Sequence, residues 1–270
     1  MSIVRKTASF VYTLDKEPIR NGYVEYDDVD GKIISVGECA PGEDVHPGAI
    51  VPGFVNAHCH IELSHLYKKF RKGTGMAGFI DQINALRDWA GRDVKEQLTL
   101  RWMDKMWNDG VSAMADISND DSSFEVKKAH RLYTRTFLEV FGSEPEMCEG
   151  VMKEVAELQA VADSAGIDAA PTPHSCYTMS PQLLSASAAK GLESGFLSYH
   201  SQESQEEEDL LVSGTGAMYE NRKRSGMSTP PVTGESSLKY FLDRLAAVKA
   251  APYDEHILMV HNVCLQQSDV

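Results

Sequence analysis

The chain has 270 residues, of which 42% are hydrophobic and 24% charged, a composition typical of a globular protein that buries a sizeable core. Forty acidic residues against 26 basic ones give a formal net charge of −14, which excludes nucleic acid as an expected partner. No apolar signal region follows Met1, and no run reaches the roughly 18 apolar residues of a spanning helix, so we expect a cytoplasmic protein without a membrane anchor. The five scattered cysteines indicate reduced thiols rather than disulfides.

The first 48 residues predict a small β domain. Its strands are "KTASFVYTL", "GYVEY" and "KIISVG", and the last two flank the turn "DDVDG". From residue 49 to residue 270, apolar strands alternate with amphipathic helices. The predicted strands are "AIVPGFVNA", "VSAMADIS", "LYTRTFLEVFG", "IDAAPTP", "GFLSYH" and "HILMVH". The predicted helices cover residues 78–90, 94–108, 145–164, 181–190 and 235–248. This alternation predicts parallel βα units, arranged either as a barrel or as an open doubly wound sheet.

Five of the nine histidines lie at or just past the C-terminal ends of predicted strands: His58, His60, His174, His200 and His261. Residues two apart in a strand face the same side, so His58 and His60 would point together and Cys59 away from them. Two imidazoles on one face are a natural start to a metal site. In a barrel, the C-terminal strand ends also collect the active site.

Glu203 follows His200 by three residues, in "SYHSQESQEEEDL". A carboxylate just beyond a metal-ligating histidine can reach a metal-activated water and act as general acid and base. The alternative interpretation is that Glu203 opens a solvated acidic helix, because three more glutamates and Asp209 follow. Its position beside His200 favours the catalytic role.

Two glycine-rich segments resemble nucleotide-binding loops: "GTGMAG" and, more weakly, "SGTGAM" around Gly214 and Gly216. "GTGMAG", residues 73–78, has the G-x-G-x-x-G spacing, but "LYKKFRK" precedes it instead of a buried strand. We therefore interpret it as a flexible loop over the site, and an NAD-dependent oxidoreductase is a weak alternative. Residues 213–236 predict a long loop, of the kind that is usually functional or mobile.

The ordered histidine motifs resemble the amidohydrolase superfamily, in its branch of cytosine, guanine and adenosylhomocysteine deaminases and chlorohydrolases. "VPGFVNAHCH" resembles the HxH segment of the family's first strand, and "APTPHSCYTMSPQLL" resembles the histidine segment of the fourth. "YHSQES" resembles the HxxE segment of the fifth strand, and "VHNVCL" the histidine segment of the sixth. The resemblance extends from about Ala49 to the end of the chain.

The resemblance implies a metal-dependent hydrolase on a (β/α)8 TIM barrel, with a small N-terminal β-sandwich-like domain. His58, His60 and His200 would bind one divalent metal, Zn2+ or alternatively Fe2+. Glu203 and His261 would be catalytic: Glu203 would move protons, and His261 would orient the water. His174 would contact the substrate. The expected reaction is hydrolytic deamination of an aminopurine or similar nitrogen heterocycle, at a carbon–nitrogen bond other than a peptide bond.

Two features depart from the family pattern. The family's fourth ligand, an aspartate after the eighth strand, has no counterpart before Val270, so we expect the chain to correspond to strands 1–6 of the barrel. Open strand edges would need covering by another chain or domain, and we expect a homo-oligomer, a dimer. Glu62, in "HIELSH", resembles a substrate-binding glutamate of the aminodeoxyfutalosine deaminase branch, although a salt-bridging loop residue is as good an interpretation.

Three alternatives to deamination stay open at this stage. Metal, water and glutamate would serve hydrolytic dechlorination equally well, and also hydrolysis of a cyclic amide, because the substrate loops decide the reaction. The third alternative is a catalytically incomplete fragment.

Overall fold

The computed structural model describes residues 2–269, and the chain divides into two compact units, residues 1–54 and 55–270. The first unit is a four-stranded sheet in the order β3-β2-β1-β4. Its strands are β1 (Ile3–Val11), β2 (Ile19–Asp27), β3 (Ile33–Glu38) and β4 (Ala49–Ile50). The pairs β1–β2 and β2–β3 are antiparallel, whereas β4 runs parallel to β1. The three predicted N-terminal strands are therefore present, although β1 begins three residues early.

The second unit alternates strands and helices, as the sequence predicts. Its strands are β5 (Phe54–Cys59), β6 (Val111–Ser118), β7 (Tyr133–Val140), β8 (Ala169–Pro173), β9 (Phe196–Ser201) and β10 (His256–His261). Its helices are α1 (Gly75–Leu86), α2 (Arg92–Asn108), α3 (Phe124–Ala129), α4 (Cys148–Ala165), α5 (Pro181–Glu193), α6 (Gln205–Ser213), α7 (Gly216–Arg224) and α8 (Ser237–Val248). The α/β class with parallel strands is confirmed.

The strands of this unit form two sheets, β5-β6-β7-β8 and β9-β10. The pairs β6–β7, β7–β8 and β9–β10 are parallel. Strand β8 contains Pro171 and Pro173, which have no N–H to donate to a neighbouring strand. The Thr172 side chain bridges instead, because its hydroxyl donates to the carbonyl of Ser198 and accepts from the Ser198 N–H at 2.9 Å. The C-terminal ends of β8 and β9 consequently stay side by side.

The main core lies between these sheets and the helices that follow them. Tyr199 of β9 stacks on Phe241 of α8 with ring centroids 3.7 Å apart, and both side chains are fully buried. Helix α5 begins at Pro181, where a missing N–H costs nothing, and the Ser180 hydroxyl caps it by accepting from Leu183 N. Large aromatic and aliphatic side chains thus pack around β9, the strand that carries His200.

Two predicted loops are wrong. Residues 75–78 of "GTGMAG" form the first turn of α1, because Glu206 accepts hydrogen bonds from the N–H groups of Met76 and Ala77 at that helix N-terminus. The predicted loop 213–236 contains α7, which the sequence pattern missed because its mean hydropathy is low. Within residues 2–269, no helix has both the length and the apolar character needed to cross a bilayer.

Candidate active site

Three histidines from two segments of the second unit converge at the C-terminal ends of strands β5 and β9. His58 lies in β5, His60 directly follows that strand, and His200 is the fifth residue of β9. The ring nitrogens of His60 and His200 are 3.2 Å apart, and one nitrogen from each of the three rings lies within 4.8 Å of the others. Tetrahedral zinc with Zn–N bonds of about 2.1 Å places its ligand atoms about 3.4 Å apart, so this cluster could hold a metal after small movements.

The protonation states of the cluster suit a metal. Burial, together with the neighbouring imidazoles, lowers the pKa of His58 to about 4. Burial also lowers the pKa of His60, although the carboxylates of Glu139 and Asp116 act in the opposite direction. The pKa of His200 is lowered by burial and by the neighbouring imidazoles. Neutral imidazole is the form that binds metal ions. His58 Nδ1 is buried without a hydrogen-bond partner among the described residues. A buried, unpartnered nitrogen in a cluster of three imidazoles fits a divalent cation.

A carboxylate and a fourth histidine adjoin this cluster. Glu203 lies two residues beyond β9, and its Oε1 is 3.4 Å from Nε2 of His261, the last residue of β10. The Tyr177 hydroxyl donates to the other carboxylate oxygen, Oε2, at 2.8 Å. Burial raises the pKa of Tyr177 well above its ordinary value, so the phenol keeps its proton and remains a donor. Glu203 is therefore held between a donor and the imidazole of His261.

Residues with left-handed backbone conformation lie just after β9 and at the end of β10, next to Glu203 and at His261. Gln202 has φ +48°, His261 has φ +77° and Asn262 has φ +51°. Positive φ is unfavourable for residues with a side chain, and such strain concentrates at functional sites. The two turns are joined because Asn262 N donates to Ser201 O at 2.8 Å and Val263 N donates to Gln202 O at 3.0 Å. Glu203 and His261 are thereby placed in one rigid assembly.

Glu207, in the first turn of α6, supports this turn from behind. Its carboxylate accepts from Glu203 N at 2.8 Å, from Gln202 N at 3.2 Å and from the Cys176 thiol at 3.2 Å. The side chain is fully buried, and burial raises the pKa of Glu207 to about 7. The acidic helix is thus not simply solvated, since Glu207 and Glu208 both point inward.

His174, which directly follows β8, lies beside His200 with ring centroids 4.7 Å apart. Burial lowers its pKa to about 4, so the ring is neutral near pH 7. Glu139, at the end of β7, has a carboxylate oxygen 3.5 Å from His174 Nε2 and 3.8 Å from His200 Nδ1. Burial raises the pKa of Glu139. Glu139, His174 and His200 form a second group that could hold a cation.

Glu62 lies in a 3₁₀ helix, Ile61–Leu66, directly after the HxH segment. It is buried, and its two oxygens accept from Asn119 N at 2.7 Å and Asn119 Nδ2 at 2.9 Å. Asn119 Nδ2 also donates to Glu139 at 3.0 Å, which connects Glu62 to the histidine cluster. Burial raises the pKa of Glu62 to about 8. These three residues are among those that line a pocket of 680 Å³.

The structure therefore brings together all the histidines singled out in the sequence, together with Glu203. Sequence reasoning missed Glu139, Asn119, Tyr177 and Glu207. Glu139 ends an apolar strand in "FLEVFG", so the rule that selected the histidines also applies to it. Asn119 and Tyr177 carry no local signal, because their hydrogen-bond partners are distant along the chain. Glu207 carries none because it lies in an acidic run that resembles a solvated helix face.

Comparisons with known proteins bear on the fold and on the class of reaction. No protein-family model matches the chain. A 5-methylthioadenosine/S-adenosylhomocysteine deaminase of Natronomonas pharaonis is 25% identical over 240 residues, which are 80% of this chain and 52% of the relative. The chain thus spans about half the length of the curated relative that it matches.

Two solved structures illustrate the structural likeness. The aminofutalosine deaminase of Helicobacter pylori in complex with methylthio-coformycin has a TM-score of 0.70 and 21% identity, covering 92% of this chain and 68% of that one. The atrazine chlorohydrolase of Arthrobacter aurescens complexed with zinc has a TM-score of 0.62 and 16% identity, covering 92% of this chain and 59% of that one. The chain therefore shares the fold of these two enzymes, a deaminase and a chlorohydrolase.

Proposed function

We propose that this chain is the metal-binding part of a hydrolase that deaminates an aminopurine or a similar nitrogen heterocycle. The observation that carries the proposal is the convergence of three neutral imidazoles with one carboxylate, Glu203, at the C-terminal ends of β5 and β9. The relative from Natronomonas pharaonis, itself a deaminase of an adenine nucleoside, supports this reaction class.

His58, His60 and His200 would hold one divalent ion, with Zn2+ proposed and Fe2+ as the alternative. When bound, such an ion polarises a water molecule and lowers its pKa towards about 7. Glu203 accepts a proton from the attacking water at Oε1, the oxygen that faces His261. Tyr177 holds Oε2, so the proton-accepting oxygen keeps its orientation throughout the reaction.

The reaction forms one carbon–oxygen bond and breaks one carbon–nitrogen bond. Water adds to the amino-bearing ring carbon, and Glu203 passes the water's two protons on, one to the adjacent ring nitrogen and one to the amino nitrogen. Ammonia then leaves as the ring carbonyl forms. Proton transfer by a positioned carboxylate typically contributes about 10² to 10⁴ in rate. His261 is the catalytic imidazole next to Glu203 and orients the water towards the carbon.

His174 and Glu62 would contact the substrate. His174 presents a neutral ring beside His200, and Glu62 lines the pocket of 680 Å³ together with Asn119 and Glu139. With a pKa of about 8, the Glu62 carboxyl is largely protonated near pH 7 and could donate to a substrate hydroxyl. A ring-bearing small molecule with hydroxyl substituents fits these partners.

The full proposal also includes the architecture. β5 to β10 would be six strands of a (β/α)8 barrel, residues 49–270, preceded by a β domain of residues 1–48. Within the part of the chain that the structure describes, β5 and β10 each have a strand neighbour on one side only. A homodimer that covers such edges belongs to the same proposal.

The proposal is tested by ammonia release from the zinc-loaded chain, with adenosine, methylthioadenosine and guanine as substrates and a chlorotriazine alongside. Glu203→Gln is expected to keep its zinc and to lose about 10² to 10⁴ in kcat. The matched control is Glu157→Gln, at an exposed carboxylate on α4, which should retain full activity. Full activity in Glu203→Gln would refute the role of that residue, and chloride release without ammonia would replace deamination by dechlorination.

A further inference from the structure

Asp116 lies in the interior of β6 and contacts both residues that flank His60. Its Oδ1 accepts from the backbone N–H of Ile61 at 2.7 Å and from the thiol of Cys59 at 3.4 Å. Asp116 is fully buried, so water does not compete for these bonds. The thiol between the two imidazoles therefore has a defined partner on the side away from the histidine cluster.

Lys127 of α3 holds the other oxygen of the same carboxylate. Its Nζ is 2.6 Å from Asp116 Oδ2, and the two side chains are 1% and 0% exposed. Nζ also donates to Ser118 Oγ at 2.8 Å and to Thr136 Oγ1 at 3.1 Å, and Ser118 Oγ in turn donates to Asp116 Oδ2 at 3.1 Å. The three protons of the ammonium group thus have three acceptors, from β6 and β7.

Such a buried ion pair is an unfavourable way to stabilise a fold. Removing both charges from water costs several kcal/mol per ion, and well-packed apolar residues of similar volume often serve stability as well or better. The pair instead gives its carboxylate a single orientation, towards the backbone around His60. A ligand must be held within about 0.5 Å of its productive position, and supporting hydrogen bonds provide that precision.

We propose that Asp116 is a positioning residue for His60, and that Lys127 orients Asp116 for this task. By holding Cys59 and Ile61, Asp116 sets the backbone direction from which the His60 imidazole leaves the chain and meets His200. This inference rests on the proposed metal centre, because a precisely placed His60 matters for a bound ion. Asp116 touches neither substrate nor metal and acts only through His60.

The test is the double variant Asp116→Leu/Lys127→Met in the full chain, which removes the acceptor without leaving a buried charge unpaired. In metal-free protein, the Ile61 amide is expected to exchange its hydrogen about tenfold faster or more than in the parent chain. Zinc affinity, measured by competition with a chelator, is expected to fall about 10- to 100-fold. Cooperative urea unfolding confirms that the variant is folded.

Thr136→Val is the matched control, because it removes one acceptor of Lys127 and leaves both bonds of Asp116 Oδ1 in place. Its Ile61 exchange and zinc affinity should stay close to those of the parent chain. Asp116→Asn/Lys127→Met is the conservative second variant: its amide oxygen can still accept from the Ile61 N–H, so both readouts should change less than in Asp116→Leu/Lys127→Met. Parental Ile61 exchange or parental zinc affinity in the folded Asp116→Leu/Lys127→Met variant overturns the inference. A parent chain that binds no zinc overturns the proposed metal centre instead, and the exchange comparison still tests whether Asp116 holds the Ile61 backbone.

Discussion

Glu207→Gln tests the structural reasoning quantitatively, because this residue supports the proposed catalytic turn from a fully buried position. Burial raises the pKa of Glu207 from its ordinary 4.5 to about 7. A raised pKa in the folded state favours the protonated carboxyl. The contribution of this group to stability is therefore fully present below pH 4.5 and is lost as the pH rises through 7.

The size of this effect follows from the two pKa values. With a pKa of about 7 in the folded chain and 4.5 in the unfolded chain, the stabilisation from proton binding is about 2.5 kcal/mol at pH 5 and close to zero at pH 8. Glutamine cannot ionise, and its single carbonyl oxygen can still accept from Glu203 N, whereas Gln202 N donates to the other carboxylate oxygen in the parent chain. The variant should therefore lose this pH dependence and keep one of the two backbone bonds to the turn.

The assay is urea unfolding of both proteins at pH 5 and pH 8. We expect the stability of the parent chain relative to Glu207→Gln to be greater at pH 5 than at pH 8 by about 2.5 kcal/mol. Glu193→Gln, at an exposed carboxylate of α5, is the control, and its stability difference should stay within about 0.5 kcal/mol. A relative stability of Glu207→Gln that does not change with pH would refute the reasoning about burial.

Three further changes separate catalysis, substrate binding and packing. Tyr177→Phe removes the donor to Glu203 Oε2, so kcat in the ammonia-release assay should fall about tenfold, and an unchanged kcat would contradict the contact. Glu62→Ala should raise KM about tenfold with zinc content unchanged, and a parental KM would remove Glu62 from the substrate pocket. Phe241→Ala removes the ring stacked on Tyr199 and should cost about 3–5 kcal/mol in urea unfolding, whereas less than 1 kcal/mol would contradict that packing.

Local patterns were sufficient for the strands that carry the site. The predicted strands "VSAMADIS" and "HILMVH" coincide with β6 and β10, because each is a short apolar run bounded by polar or turn residues. The spacing of His58 and His60 also predicted their common face correctly, and the two rings lie 5.1 Å apart. The alternation of side chains along a strand depends only on neighbouring residues, which explains why the sequence alone could predict it.

Contacts between distant segments were beyond the sequence. The interpretation of "GTGMAG" as a loop failed because a carboxylate 130 residues away, Glu206, caps the helix that begins there. Asp116 and Lys127 each look like an ordinary charged residue, and only the fold brings their side chains to 2.6 Å. The roles assigned to His58, His60, His200, Glu203 and His261 remain predictions that rest on the geometry described above.

The measurement that tests the account most directly is the zinc and iron content per chain after purification and after reconstitution, with His60→Ala and His46→Ala in parallel. His60 belongs to the three-imidazole cluster, whereas His46 is exposed in the first unit. We expect close to one ion per chain in the parent and in His46→Ala, and a loss of most of it in His60→Ala. Equal metal content in all three proteins, or none in the reconstituted parent, would contradict a metal centre built by His58, His60 and His200.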